Sequence, residues 1–162
     1  MTTNFFAHSL LDWFEKNQRD LPWRNTKDPY IIWLSEVILQ QTRVAQGLPY
    51  FLKFIQRFPT VNDFAVADEE EVLKLWQGLG YYSRARNMLK TAQLVAEKGE
   101  GFPAIYAELI QLKGIGEYTA SAVASFSSNE KVAVVDGNVY RVLSRYFGIH
   151  DAIDQTIGKK KF

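Results

Sequence analysis

The sequence predicts an all-α protein, and three observations carry that prediction. Apolar residues recur at helical spacing in one segment after another. No alternation of apolar and polar residues runs long enough to build a sheet. Glycine, proline and helix-capping residues punctuate the chain at short intervals, as connections between helices do. Of the 162 residues, 47% are hydrophobic and 23% charged, the balance of a folded chain rather than a disordered one. That length suffices for one domain with a real core or for two small lobes.

The elements follow in order. FFAHSLLDWFEKN places Phe6, Leu10, Trp13 and Phe14 at helical spacing. Leu21-Pro22-Trp23 and Asp28-Pro29 punctuate the link to a second helix, expected over roughly Tyr30 to Gln46. A third is expected from Pro49 to about Phe58, ended by Pro59, with Thr60 capping a short turn. Asp68-Glu69-Glu70-Glu71 before VLKLW reads as a helix start, with acid in its first turn and Asp68 and Glu71 at capping-box spacing. Gly78 and Gly80 break the chain and Ser83 restarts it. Arg84 to Lys98 is helical and stops at Gly99, Phe102-Pro103 is a loop, and Ala104 to Leu112 is a further helix. KGIGEYTASAVASF and VAVVDGNVYRVLSRYF complete the series, with no internal repeat or low-complexity tract.

Composition removes several classes of function. The chain contains no cysteine, which excludes disulfides and any thiolate-held zinc or iron–sulfur site built from these residues. This fits a reducing, cytoplasmic compartment. No apolar stretch approaches the length needed to span a bilayer, and MTTNFFAHSLLDWFEKN reads as no secretory signal. Nineteen basic and eighteen acidic residues leave a net charge of +1, so nucleic-acid binding has to be argued from local charge, not from the total.

Three stretches point to chemistry. LKGIGEY, residues 112 to 118, lies between helical patterns. Its two glycines suit a tight hairpin with positive backbone angles, after which Gly116 opens a helix whose free N–H groups suit phosphate oxygens. An ordinary helix–helix turn with Ile115 packed inside fits the spacing equally well. Lys113, with Arg84, Arg86, Lys90, Arg141 and Arg145, is a candidate basic footprint. Asp136 follows VAVV and precedes a helical pattern. Capping alone explains it, although the positive helix end also favours a carboxylate in a catalytic role. Glu36 lies within the apolar run WLSEVILQQT, with Ile32, Trp33, Leu39 and Gln40 three and four residues away. Either it belongs to a solvated stripe with Gln40 and Arg43, or it lines a cleft whose apolar walls raise its pKa. One protonated carboxyl beside one carboxylate is the pairing that cleaves glycosidic bonds.

LPWR, DPYIIWLSEVILQQTRVAQGLPYF, RFPTV, LWQGLGYYSRARNM, LKGIGEYTASAVASF and VVDGNVYRVLSRYF, in this order from about residue 5 to 150, resemble the A/G-specific adenine DNA glycosylase (MutY) family. That family belongs to the helix-hairpin-helix base-excision superfamily. The resemblance implies removal of adenine mispaired with 8-oxoguanine or guanine in double-stranded DNA, by flipping it from the duplex. It implies that Glu36 is the acid that protonates adenine and Asp136 the carboxylate that stabilises the sugar cation. Trp23, Arg24, Tyr118 and Asn138 correspond to pocket residues. Gln41 and Tyr81 correspond to side chains wedged into the base stack, with Leu39, Gln40 and Thr42 lining the same region. Lys113, Gly114, Ile115 and Gly116 correspond to the phosphate anchor, where carbonyls also hold a monovalent cation. A six-helix lobe is expected over 22–133, with the helix-hairpin-helix at about 104–127. Residues 1–21 and 134–162 are expected to belong to an incomplete second lobe. Full-length members continue into a 4Fe-4S module and a domain that reads 8-oxoguanine, so the chain's end at IGKKKF is a departure. It leads to the expectation that Phe5, Phe6, Leu10, Trp13 and Phe14 lack part of their apolar partners.

Three other readings compete. An endonuclease III-like enzyme needs a nucleophilic lysine just after the glycine hairpin, where this chain has Tyr118. A G/T mismatch thymine glycosylase shares the Glu and the Tyr. A catalytically inactive DNA-binding fragment keeps the fold without turnover.

Overall fold

The computed structural model describes residues 3–153. Among these, all regular structure is helical. The expectations that concern residues 154–162 lie outside the described residues.

Helix α1 spans Thr3–Asn17, followed by a 3-10 turn over Pro22–Arg24. Helix α2, Pro29–Ile38, is the central element. Asp28 caps it by accepting the Tyr30 N–H at 2.8 Å, and Pro29 supplies a first residue with no N–H to leave unpaired. Seven of its ten residues are buried, so it is apolar nearly all round, as a helix enclosed by others must be. It does not continue to Gln46. It ends at Leu39, and a turn through Gln40–Thr42 includes Gln41 at φ 56°. No glycine or proline announces this break. The Arg84 side chain binds the break, donating to the Val37 and Gln40 carbonyls.

Helix α3, Val44–Arg57, starts five residues before the expected Pro49. Pro49 sits within it, where its ring tolerates helical φ. Gly47 allows α3 to close on this turn, since a Cβ there would lie 2.7 Å from Leu39 Cδ2. Thr60 and Asp63 form a reciprocal capping box on the short α4, Val61–Ala65. Asp68 caps α5, Glu69–Trp76, accepting from the Glu70 and Glu71 N–H groups. The acidic run does more than cap: Glu71 pairs with Arg57 of α3, and Glu69 with Arg86 of α6, Ser83–Lys98. Gly99 ends α6 at φ 71°. The helix expected over Ala104 to Leu112 contracts to α7, Tyr106–Leu109, whose first N–H is received by the Glu130 carboxylate at 2.7 Å. The hairpin leads into α8, Glu117–Ser128, and an extended stretch leads to α9, Gly137–Phe147.

α2 packs against α8, α3 and the 3-10 turn, while α6 packs against α4 and α5. The core is aromatic-rich: Trp33, Phe51, Phe54, Phe58, Phe64 and Trp76 are all buried, with Phe54 edge-on to both Phe64 and Trp76. This packing fixes α2 and α8 side by side, and the candidate site opens along their seam.

Candidate active site

Glu36 projects from α2 and Tyr118 from the first turn of α8 into one pocket of about 380 Å³. Ile32, Trp23, Phe14 and Phe126 supply apolar wall, and Arg24, Lys27, Thr26 and Gln18 its polar rim. Trp23 is held edge-on against buried Phe51, ring centres 4.9 Å apart. Arg24 lies 5.3 Å over the Phe14 ring and donates to the Arg19 carbonyl. Lys27 donates to the Phe126 carbonyl at 2.8 Å and to Asn129 Oδ1 at 3.2 Å, pinning the rim to the end of α8.

Electrostatics follow from this enclosure. Burial pushes the Glu36 carboxyl above its ordinary pKa, and a hydrogen bond with Tyr118 works in the opposite direction. Tyr118 is pushed up to about 12, first by burial, then by the charges of Glu36 and Asp136, then by its bond to Glu36. Tyr118 therefore stands within the field of both carboxylates. The solvated stripe of Glu36, Gln40 and Arg43 does not form. Glu36 faces the pocket, Gln40 lines a different concavity, and exposed Arg43 precedes α3.

Asp136 does not line the pocket wall; it caps α9 on the Tyr118 side. Its Oδ1 accepts the Asn138 and Val139 N–H groups at 3.0 and 2.9 Å. Its Oδ2 accepts from Asn138 Nδ2 at 3.1 Å, and Arg141 in turn donates to Asn138 Oδ1 at 2.9 Å. The carboxylate is fixed in orientation by its own helix end.

Two further clusters lie apart from the pocket. Gln40, Gln41, Tyr81, Ser83 and Arg84 line a concavity of about 220 Å³. Leu39 and Thr42 flank it, Thr42 Oγ1 donating to the Gln40 carbonyl at 3.3 Å. The third cluster is the hairpin. The Ile115 N–H bonds to the Leu112 carbonyl, Ile115 is buried, and Lys113 is exposed. Only one of its glycines needs a positive angle: Gly114 has φ 88°, whereas Gly116 is extended at φ −91° and leads into α8.

Sequence reasoning missed Phe14, Gln18, Thr26, Lys27, Ile32 and Phe126 as pocket walls. They come from four separate segments that only the fold brings together. Two of the basic residues have partners within the fold: Arg84 donates to backbone carbonyls, and Arg86 pairs with Glu69 on the surface. A larger, open groove of about 550 Å³ between α3 and α5 has its Arg57 and Glu71 paired with each other. Among the described residues no cluster of His, Cys, Asp or Glu is placed to hold a metal ion. With no cysteine, the 162 residues supply no thiolate for an iron–sulfur cluster. No helix among the described residues is long and apolar enough to cross a membrane.

A helical core carrying a glycine hairpin, with a largely enclosed carboxyl in a pocket at its side, defines a class. A family model described as HhH-GPD superfamily base excision DNA repair protein matches residues 34–162, and the chain belongs to that superfamily. Within it, the chain is 46% identical to an adenine DNA glycosylase of Buchnera aphidicola subsp. Baizongia pistaciae, over 93% of this chain and 43% of that protein. The resemblance to adenine DNA glycosylases read in the sequence thus extends over most of the chain, which spans less than half the length of that relative. A thermostable thymine-DNA glycosylase superimposes with a TM-score of 0.83 at 31% identity, covering 90% of this chain and 68% of that one. A non-covalent endonuclease III–DNA complex shares the fold, with a TM-score of 0.74 at 23% identity, covering 94% of this chain and 73% of that chain.

Proposed function

We propose that this chain is a monofunctional adenine DNA glycosylase, which hydrolyses the N-glycosidic bond of adenine mispaired with 8-oxoguanine or guanine in DNA. The supporting observation is the pocket that holds Glu36 above its ordinary pKa, against a tyrosine that also feels Asp136. In this reading the flipped adenine enters past Trp23 and Arg24. Glu36 delivers its proton to an adenine ring nitrogen. The C–N bond breaks with its electron pair leaving on the base, and Asp136 stabilises the oxocarbenium-like sugar. Water adds to that sugar and returns a proton to the Glu36 carboxylate. Tyr118 and Asn138 orient the two carboxyl groups.

DNA is held at the other two clusters. Gln41 and Tyr81 wedge into the stack, with Leu39, Gln40 and Thr42 beside them, and offset the cost of extruding a base. The hairpin from Lys113 to Gly116 takes a backbone phosphate on the N–H groups at the start of α8. Its carbonyls are the place for a monovalent cation. The 46% identity to an adenine enzyme favours adenine over thymine, the substrate in the name of the more distant structural relative.

The test is single-turnover excision, with chain in excess over a duplex carrying adenine opposite 8-oxoguanine and alkali added to reveal abasic sites. Glu36→Gln is expected to lower the rate by about 10²–10⁴-fold, the range for losing a general acid, while duplex affinity stays near that of the unaltered chain. The unaltered rate should fall as pH rises through the raised Glu36 pKa, because the protonated form is the active one. Excision from a G/T duplex instead would assign the thymine reading. No excision by a folded chain that binds the duplex would leave it a binding module.

A further inference from the structure

Arg84 is the most heavily engaged side chain outside the pocket. Its Nη1 donates to the Val37 and Gln40 carbonyls at 3.0 and 2.6 Å. Its Nη2 reaches the Leu79 and Gly80 carbonyls, each at 3.4 Å. The guanidinium lies over two rings, 5.0 Å from the centre of Trp76 and 5.9 Å from that of Tyr81. Trp76 is itself buried and donates Nε1–H to the Gly80 carbonyl at 2.8 Å. One planar fork therefore joins the end of α2 to the glycine loop, two segments about forty residues apart.

The choice of carbonyls matters. Gln41 and Tyr81 have φ of 56° and 47°, in the left-handed region that side-chain-bearing residues rarely adopt. Gln40 and Gly80 are the residues immediately before them. The carbonyl of residue i−1 shares a peptide plane with the N–H of residue i, and φ of residue i is the rotation away from that plane. By binding the Gln40 carbonyl, and the Gly80 carbonyl together with Trp76, Arg84 braces both planes from which Gln41 and Tyr81 turn outward. Unfavoured backbone angles persist where surrounding contacts over-determine them, and Arg84 is common to both sets, sharing the Gly80 carbonyl with Trp76 Nε1–H.

We propose that Arg84 is a positioning residue that holds Gln41 and Tyr81 as one rigid pair, so that base extrusion depends on a side chain that acts only through them. The inference rests on the reading of Gln41 and Tyr81 as the wedge. α6 also carries a contrasting contact: Thr91, seven residues further along the same helix, donates to the Lys113 carbonyl of the hairpin at 2.7 Å. Thr91 serves the phosphate anchor and Arg84 the wedge.

The experiment replaces the target adenine by 2-aminopurine opposite 8-oxoguanine and follows the fluorescence rise on unstacking, at saturating chain. Four chains are compared: unaltered, Gln41→Ala/Tyr81→Ala, Arg84→Lys and Thr91→Val. Circular dichroism establishes that each is folded at the working temperature. Arg84→Lys is expected to lose most of the rise, about fivefold or more, because one ammonium cannot span both pairs of carbonyls. Its duplex affinity should change by less than about threefold, since the hairpin anchor is untouched. Thr91→Val should do the reverse, weakening affinity while the saturated complex keeps its rise. If Arg84→Lys does not fold, Arg84→Gln takes its place under the same expectation. A normal rise with the Arg84 variant, together with a lost rise in the double variant, overturns this inference and leaves the wedge reading standing. A normal rise in the double variant, or none with the unaltered chain, overturns the wedge reading and this inference with it. Equal losses for Arg84→Lys and Thr91→Val also overturn it, since both would then act through general stability.

Discussion

Glu36 is held where its charge is costly, and the cost has a pH signature. Its ordinary carboxyl value is 4.5, and burial raises it in the folded state against the weaker pull of the Tyr118 bond. Below about pH 4.5 both folded and unfolded chains keep the proton, so the group contributes nothing to the pH dependence. Above that value the unfolded chain ionises freely while the folded chain retains the proton or buries the charge. Stability therefore falls as pH rises from the unfolded value through the folded one, then levels off. Glu36→Gln, which cannot ionise, is expected to be more stable than the unaltered chain near pH 7, by an amount on the order of 1 kcal/mol or about 2–4 °C. The difference should vanish on acidification to about pH 4. Thermal melts of both chains across this range check it; a gap independent of pH would mean that Glu36 acts through packing instead. The apolar neighbours of Glu36 make a raised value one of two readings of the sequence, the other being a solvated stripe with Gln40 and Arg43. The Tyr118 bond was not legible, because it depends on how α8 lies against α2.

At the scale of elements, the sequence speaks where backbone demands a particular residue and is silent where a distant side chain decides. The caps at Asp28, Thr60, Asp68 and Asp136 are local chemistry, and all four form. The end of α2 is not purely local, since its carbonyls are taken by Arg84 of another helix, and extending α2 to Gln46 followed from reading only nearby residues. The hairpin combines both cases. Its glycines look equivalent in GIG, yet they differ in kind. Gly114 has φ 88°, and a Cβ there would meet Asn87 Cβ at 3.3 Å. Gly116 has an ordinary φ of −91° and nothing within 4 Å of a Cβ. Gly114→Ala is thus expected to destabilise the chain by about 1–2 kcal/mol, whereas Gly116→Ala, where relief of chain entropy opposes loss of an N-cap glycine, should change stability by under about 0.5 kcal/mol. Urea unfolding measures both. If Gly116→Ala keeps its stability but loses duplex affinity, the glycine serves close approach of the phosphate to the backbone. If affinity also stays, the anchor lies elsewhere in the turn.

For the whole molecule, the question is what binds α1 and α9 to the rest. The buried core draws its residues from Tyr30 to Ala124 and none from either helix. They meet each other through Phe6, whose ring lies 4.2 Å from that of Tyr146 and 5.7 Å from that of Phe147. Around that contact Phe5, Leu11 and Trp13 remain 60–64% exposed, and Val142, Tyr146 and Phe147 are exposed as well. Scattered exposed apolar residues are ordinary, but several large ones on two adjoining helices form the kind of surface that associates. Two expectations follow from one cause. Amides of α1 and α9 should exchange hydrogen well before those of α2 and α8, because little buried apolar contact opposes their opening. The chain should also self-associate as concentration rises, covering that surface. Leu11→Glu with Trp13→Gln should shift sedimentation toward the monomer without altering the urea midpoint of the core, since neither side chain reaches it. A concentration-independent monomer with slow exchange in α1 would show that the Phe6 contact, with Phe14 under Arg24 at the pocket, secures these helices, and that their exposed faces are simply tolerated.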